Sequence, residues 1–220
     1  MKNKRYKFFR EGFKSEYGAH TWEIGKWYKH IGKLDMCNAG FHCSKRMGEA
    51  FSYVQGEIVA EVECRGESII GDDKEVWEEM RIVKCWKWTK TDSVKLAIFA
   101  AEQVIDIYEM EQPKDDRPRK AIEAAKNWLD NPTEENGDVA RAASWAARVA
   151  SRYAGYARAA RYAARVASWA ARCAGYAWAA WAAGAVRCAG SAAAGASWDE
   201  DVVTGSIYDY MEGLTLEEIK

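Results

Sequence analysis

Ala140-Arg-Ala-Ala-Ser-Trp-Ala-Ala-Arg-Val-Ala150 opens the stretch whose reading decides the fold. From Ala140 to Ala196 the chain places alanine at 27 of 57 positions, adds eight arginines, and uses no lysine, aspartate or glutamate. Alanine is the strongest helix former, and its lone methyl lets helix axes approach closely. The stretch therefore reads as helices packed through alanine faces. Its arginines are Arg141, Arg148, Arg152, Arg158, Arg161, Arg165, Arg172 and Arg187, interleaved with Trp145, Tyr153, Tyr156, Tyr162, Trp169, Tyr176, Trp178 and Trp181. Arginine without counter-charge, set among aromatic rings, suits an anionic or planar partner.

The array has an internal beat. Ser144-Trp-Ala-Ala-Arg-Val-Ala-Ser151, Arg161-Tyr-Ala-Ala-Arg-Val-Ala-Ser168 and Ser168-Trp-Ala-Ala-Arg-Cys-Ala-Gly175 are near copies. Arg158, Arg165 and Arg172 recur every seven residues, each four before an aromatic, which places guanidinium and ring as neighbours on a helix. One unbroken helix from Val139 to Ala189 would run roughly 75 Å, too long for a domain of this size. Gly155, Gly175, Gly184 and Gly190 are the expected breaks. On ideal helices Arg141, Arg148 and Arg152 share an arc of roughly 40°, and Arg158, Arg161, Arg165 and Arg172 one of roughly 60°. Two basic stripes result. They read either as a solvated face or as a groove that grips phosphates or carboxylates through bidentate forks, with rings stacking on Trp and Tyr.

Outward from the array the composition changes. Asp199 to Lys220 carries seven acids and one lysine, an acidic tail able to neutralise the basic block or to serve as an interaction tail. Its apolar residues, Ile207 to Ile219, are enough for it to dock, and a docked tail would set its acids against the arginine stripes. Thr91–Met110 reads as one helix capped by Thr91 or Asp92, and Gln112–Pro118 as a proline-marked break. A helix then begins near Pro118, and Asp138 is placed to cap the one after it. Before residue 90 the pattern is strand-like: Arg5–Arg10, Thr21–His30, Glu57–Cys64 and Arg81–Trp88, the last with Ile82, Lys84, Trp86 and Trp88 on one face. Lys45–Val54 has helical spacing, with Ser44 as its N-cap. The expected organisation is a small α+β domain with a mostly antiparallel sheet (1–90), a connecting helix and linker (91–116), an all-α, Ala-rich helical domain (117–198) and the acidic tail (199–220).

The N-terminal part is marked by Cys37-Asn-Ala-Gly-Phe-His-Cys43, a Gly25-Lys-Trp-Tyr28 hairpin and a closing Glu-Val-Glu strand. On these residues it resembles a family of phage-encoded domains without assigned function, with a C-x-x-GFH-C motif, which implies a fold but no activity. A weaker likeness to ADP-ribosyltransferase-like folds implies a catalytic glutamate for which the sequence offers no position. Arg117-Pro-Arg-Lys-Ala-Ile-Glu-Ala-Ala-Lys-Asn-Trp128 and the Ala-rich array after it resemble a family of small helical immunity proteins, named for an inferred role in neutralising toxins.

Six scattered cysteines fit reduced thiols better than a disulfide framework. A zinc site at Cys37, His42 and Cys43 is disfavoured, because adjacent His42 and Cys43 point to opposite faces of a strand. The same geometry disfavours a Cys–His nucleophile pair. Phe41 and Cys43 read as core, with His42 capping a turn or lining a pocket. Three histidines, no Gly-rich phosphate loop and no H-E-x-x-H or G-x-S-x-G motif weigh against catalysis. Near-zero net charge and the acidic tail weigh against bulk nucleic-acid binding. The N-terminus has no signal-like apolar core, and arginines interrupt every candidate span, so a cytoplasmic protein is expected, in the host if phage-encoded.

Three functions follow in order. The first is a phage-type anti-defence protein that sequesters a nucleotide-derived immune signal without catalysis or cofactor. The second is an immunity protein that blocks a host or toxin protein by contact. The third is an enzyme of ADP-ribose or nucleotide chemistry. The expected ligand-binding residues are Arg141, Trp145, Arg148, Arg152, Arg158, Arg161, Arg165, Trp169 and Arg172, joined by Phe41 and His42, with neither metal nor membrane. Partners are a small anionic nucleotide-like ligand or a host protein, and a homo-oligomer is admitted as well.

Overall fold

The computed structural model describes residues 4–16, 20–154, 158–175 and 179–220. The chain divides into two compact units, Met1–Trp88 with Leu214–Lys220, and Thr89–Gly213.

The first unit is built on β5 (Glu75–Lys87). One edge of β5 pairs with β4 (Ile58–Ile70), which in turn pairs with β1 (Arg5–Phe9). Its other edge receives β3 (Phe41–Cys43), β2 (Tyr28–Lys29) and β6 (Glu218–Ile219) at successive positions, all antiparallel. Ser44, following β3, exchanges backbone hydrogen bonds with Tyr6 of β1, so the pairing circuit closes and protects its edges. The backbone of Ser44 is thus committed to the sheet. The short helix α1 (Met47–Tyr53) is capped instead at Arg46, whose N–H donates to the Glu49 carboxylate at 3.0 Å. The strand expected over Thr21–His30 shrinks to β2 and isolated bridges. In β5 the expected single face of Ile82, Lys84, Trp86 and Trp88 is broken by a register shift opposite Glu61 and Val62. Ile82 and Cys85 are buried while Lys84 is exposed, as an inserted residue at Val83 requires.

The second unit is all helix. The expected Thr91–Met110 helix is two, α2 (Lys90–Glu102) and α3 (Ile105–Glu111), separated at Gln103 and Val104. Its cap is Thr89 and not Thr91 or Asp92: Asp92 N–H donates to Thr89 Oγ1, and Thr89 N–H donates back to the Asp92 carboxylate. Helix α4 (Arg117–Asp130) carries Pro118 in its first turn. Helix α5 (Glu134–Tyr153) is capped by Thr133, which leaves Asp138 one turn inside as an ion-pair partner of Arg141. The array continues as α6 (Arg158–Gly175) and α7 (Ala179–Gly195), and α8 (Glu200–Glu212) completes the unit, capped by Asp199.

Gly155 lies outside the described residues, and Gly175 ends α6. Gly184 and Gly190 do not break the chain and lie within α7. A Cβ at Gly184 would stand 2.9 Å from the Trp169 ring, and one at Gly190 would stand 3.0 Å from the Glu200 carboxylate. These glycines admit a neighbour and do not end a helix. Alanines fill the interhelical space: Ala140, Ala147, Ala160, Ala163, Ala167, Ala170, Ala182 and Ala189 are fully buried. Burying them costs no side-chain entropy. Ser144 and Ser168 meet between α5 and α6, with Ser168 Oγ donating to Ser144 O at 3.0 Å.

Candidate arginine pocket

With alanine on the buried faces of α5 and α6, the long polar side chains are left to the outer faces. Arg148 and Arg152 from α5 converge there with Arg161, Arg165 and Arg172 from α6. Together with Ser151, Ser168, Trp169 and Trp181 they line a cavity of about 530 Å³, a volume in the range of small-molecule sites. The two stripes therefore face one space. Six of the nine array positions expected from the sequence to bind a ligand stand in this wall: Arg148, Arg152, Arg161, Arg165, Trp169 and Arg172. Ser151, Ser168 and Trp181 join them. Trp181 comes from α7, and no helical wheel drawn on α5 or α6 could have shown it.

The aromatics hold the forks in place. The Arg172 guanidinium lies 3.7 Å from the centre of the Trp181 ring, and Arg165 lies between Trp169 at 5.2 Å and Tyr162 at 5.8 Å. Arg158 is 5.6 Å from Tyr162. The i to i+4 pairings expected for Arg158 and Arg165 are present. The third, Arg172 with Tyr176, lies outside the described residues, as do Tyr156 and Trp178. Among the described residues, the guanidinium groups of Arg148, Arg152, Arg158, Arg161 and Arg165 have no acidic partner. The first turn of α6 holds Arg158 and Arg161 and no acid, although that end of a helix is its positive pole.

The other named residues go elsewhere. Arg141 does not line the cavity: it pairs with Asp138, and its Nη1 donates to Gly175 O at 2.9 Å, satisfying a carbonyl at the end of α6. Trp145 is 60% exposed outside the cavity, with the Arg148 guanidinium 5.5 Å from its ring. Arg158 lines a neighbouring cavity of about 120 Å³ with Arg161, Tyr162 and Arg165. The tail residues of α8 dock, with Tyr210 stacked on Phe99 at 4.1 Å, yet none of their acids pairs with Arg148, Arg152, Arg161 or Arg165.

Phe41 and His42 belong to the sheet unit. His42 Nε2 accepts the Cys37 N–H at 2.9 Å, where Cys37 has a positive φ of 76°. Burial, with Lys7 and Lys74 nearby, holds His42 below the usual imidazole range and so keeps it an acceptor. Gly40 before them has φ 106°, and a Cβ there would fall 2.6 Å from Val76. Beside His42 and Cys43 is a cavity of only about 50 Å³, far below ligand size. Cys43 and Cys64 stand with sulfurs 3.7 Å apart as free thiols. Among the described residues no three His, Cys, Asp or Glu side chains converge as a metal site, and no helix is long and apolar enough to cross a membrane.

Residues 84–203 match the family model described as "Imm-5 like putative immunity protein", and residues 3–93 match a domain of unknown function, DUF7666. No curated protein and no solved structure gives a match.

Proposed function

Because this chain belongs to the Imm-5 like immunity-protein family, we propose that it acts as a non-catalytic binding protein whose working site is the arginine pocket. In this reading it is an anti-defence protein of the kind phages encode, and it sequesters a nucleotide-derived signal in the cytoplasm. The observation that carries the reading is the cavity of about 530 Å³ walled by five arginines and two tryptophans. Charge-assisted forks take phosphate oxygens, and indole faces take a planar ring. Among the described residues the wall is arginine, serine and tryptophan. These residues offer no carboxylate, imidazole or thiol to move a proton, which favours holding a ligand over transforming it.

Native mass spectrometry of the protein purified from cells, with and without a panel of cyclic nucleotides and ADP-ribose derivatives, tests the reading. The expected result is a discrete adduct that disappears in Arg165→Ala and Arg148→Ala. The same masses for all three proteins would sink it.

A second reading, direct blockade of a toxin or host protein, is favoured by Trp145, which is 60% exposed beside Arg148. Tryptophan and arginine are the residues that dominate protein interfaces. In that case Trp145→Ala abolishes capture of the partner, and Arg165→Ala does not.

A further inference from the structure

The cavity that holds Trp169 and Trp181 does not end the basic surface. Arg161 and Arg165 also line the neighbouring cavity of about 120 Å³, where Arg158 and Tyr162 complete the wall. Arg148, Arg152 and Arg172 belong to the larger cavity alone, and Arg158 to the smaller alone. Along α6 the rise per residue puts Arg158 roughly 10 Å from Arg165 and roughly 20 Å from Arg172. One tetrahedral phosphate cannot engage both ends of that row. A monoanion would also leave most of the positive charge uncompensated, because five of these six guanidinium groups have no acidic partner among the described residues. The rings are unevenly placed as well. Among the described residues, the indoles Trp169 and Trp181 line the larger cavity, and Tyr162 is the ring in the wall of the smaller.

We propose that the two cavities form one elongated site for a ligand with a planar ring at one end and a chain of several phosphoryl groups at the other. The ring stands at Trp169 and Trp181, the first phosphates at the shared Arg161 and Arg165, and the distal phosphates at Arg158. The chemical class is a nucleoside oligophosphate or a short phosphodiester of equal charge, and not a nucleoside monophosphate. This rests on the arginine pocket being the binding site.

Isothermal titration of the full chain, without divalent cations, is run with orthophosphate, tripolyphosphate, AMP, ATP and the dinucleotide pApA. Tripolyphosphate is expected to bind about a hundredfold more tightly than orthophosphate, and ATP, pApA or both likewise more tightly than AMP, as two added guanidinium contacts predict. Whichever of ATP and pApA binds more tightly tells linked phosphates from separated ones. Arg158→Ala is expected to cost the longer ligands about tenfold and to leave AMP unchanged. Circular dichroism melts confirm that the variant is folded. If AMP binds as tightly as ATP and pApA, or if Arg158→Ala weakens AMP as much as ATP, the elongated site is refuted and the single pocket stands. If no probe binds, both readings fall together.

Discussion

In the sheet unit Arg5, Arg65 and Arg81 each meet a glutamate, respectively Glu75, Glu79 and Glu63, whereas on α5 and α6 Arg148, Arg152, Arg161 and Arg165 meet no acid among the described residues. The contrast is not one of strand against helix. Around α4, Arg117 pairs with Asp115, Arg119 with Glu109, and Lys126 with Glu102. At each of these six positions the chain supplies an acid for the cation. A merely solvated basic face can be furnished with acids three or four residues away at little cost, as Lys120 with Asp116 and Lys26 with Glu23 show. In the array the departure is seen, among the described residues, at Arg148, Arg152, Arg158, Arg161 and Arg165, the guanidinium groups on which the proposed binding site rests.

The largest expected effect breaks the comparison on its paired side. Glu75 is 1% exposed and accepts from Arg5 and from Trp77 Nε1. Glu75→Gln leaves a half-buried guanidinium without its counter-charge and is expected to cost about 3 kcal/mol in urea unfolding. A change within the error of the measurement would mean that pairing in the sheet unit is decorative. Arg165→Glu imposes the sheet unit's rule on the array. It is expected to lower affinity for a phosphate-bearing ligand about a hundredfold, with folding stability within about 0.5 kcal/mol of the parent because the site is exposed. Gly184→Ala drives a methyl into the Trp169 ring and is expected to destabilise by roughly 1–2 kcal/mol, with a shift in tryptophan emission. An unchanged melt and spectrum would show that the ring has room to move.

The smallest effect is one of pH. His42 is held below the usual imidazole range by burial and by Lys7 and Lys74, so the unfolded chain takes up its proton first. The contribution is full above about pH 6.5 and is lost progressively as the pH falls below it. Unfolding midpoints at about pH 7.5 and about pH 5 should differ more for the parent than for His42→Asn. Equal differences would place the sensitivity elsewhere.

The change from sheet to helix was legible because two kinds of period meet near residue 90, and alanine in the array leaves no other reading. The convergence of Arg148, Arg152, Arg161, Arg165 and Arg172 was legible as two narrow stripes, since 3.6-residue geometry alone sets them. What each stripe faced was not. Arg141 shares its stripe with Arg148 and Arg152, yet the end of α6 supplies a carbonyl that captures it, and only tertiary packing sets where that end lies. Gly184 and Gly190 were misread as breaks for the same reason: a glycine signals low cost for both turning and close contact, and its neighbour decides between them. Thr89 was overlooked as a cap because Asp92, the other half of its capping box, resembles a cap on its own. The slip at Val83 in β5 has no marker residue at all.

The first turn of α6 has a thermodynamic consequence. Arg158 and Arg161 sit at the positive pole of their own helix with no acid beside them, an arrangement that costs roughly 0.3–1 kcal/mol per cation. An anion docking there supplies the charge that a capping aspartate would give in another protein, so occupancy and folding are linked equilibria. At a ligand concentration a hundred times the dissociation constant, the linkage adds about 2.7 kcal/mol to the folded state. For a unit of this size that raises the melting temperature by several degrees, roughly 5 °C or more. Under the proposed function, heat resistance therefore becomes a readout of ligand identity that needs no assay of function: at equal concentrations, the compound that binds this end of the helix most tightly moves the melt furthest.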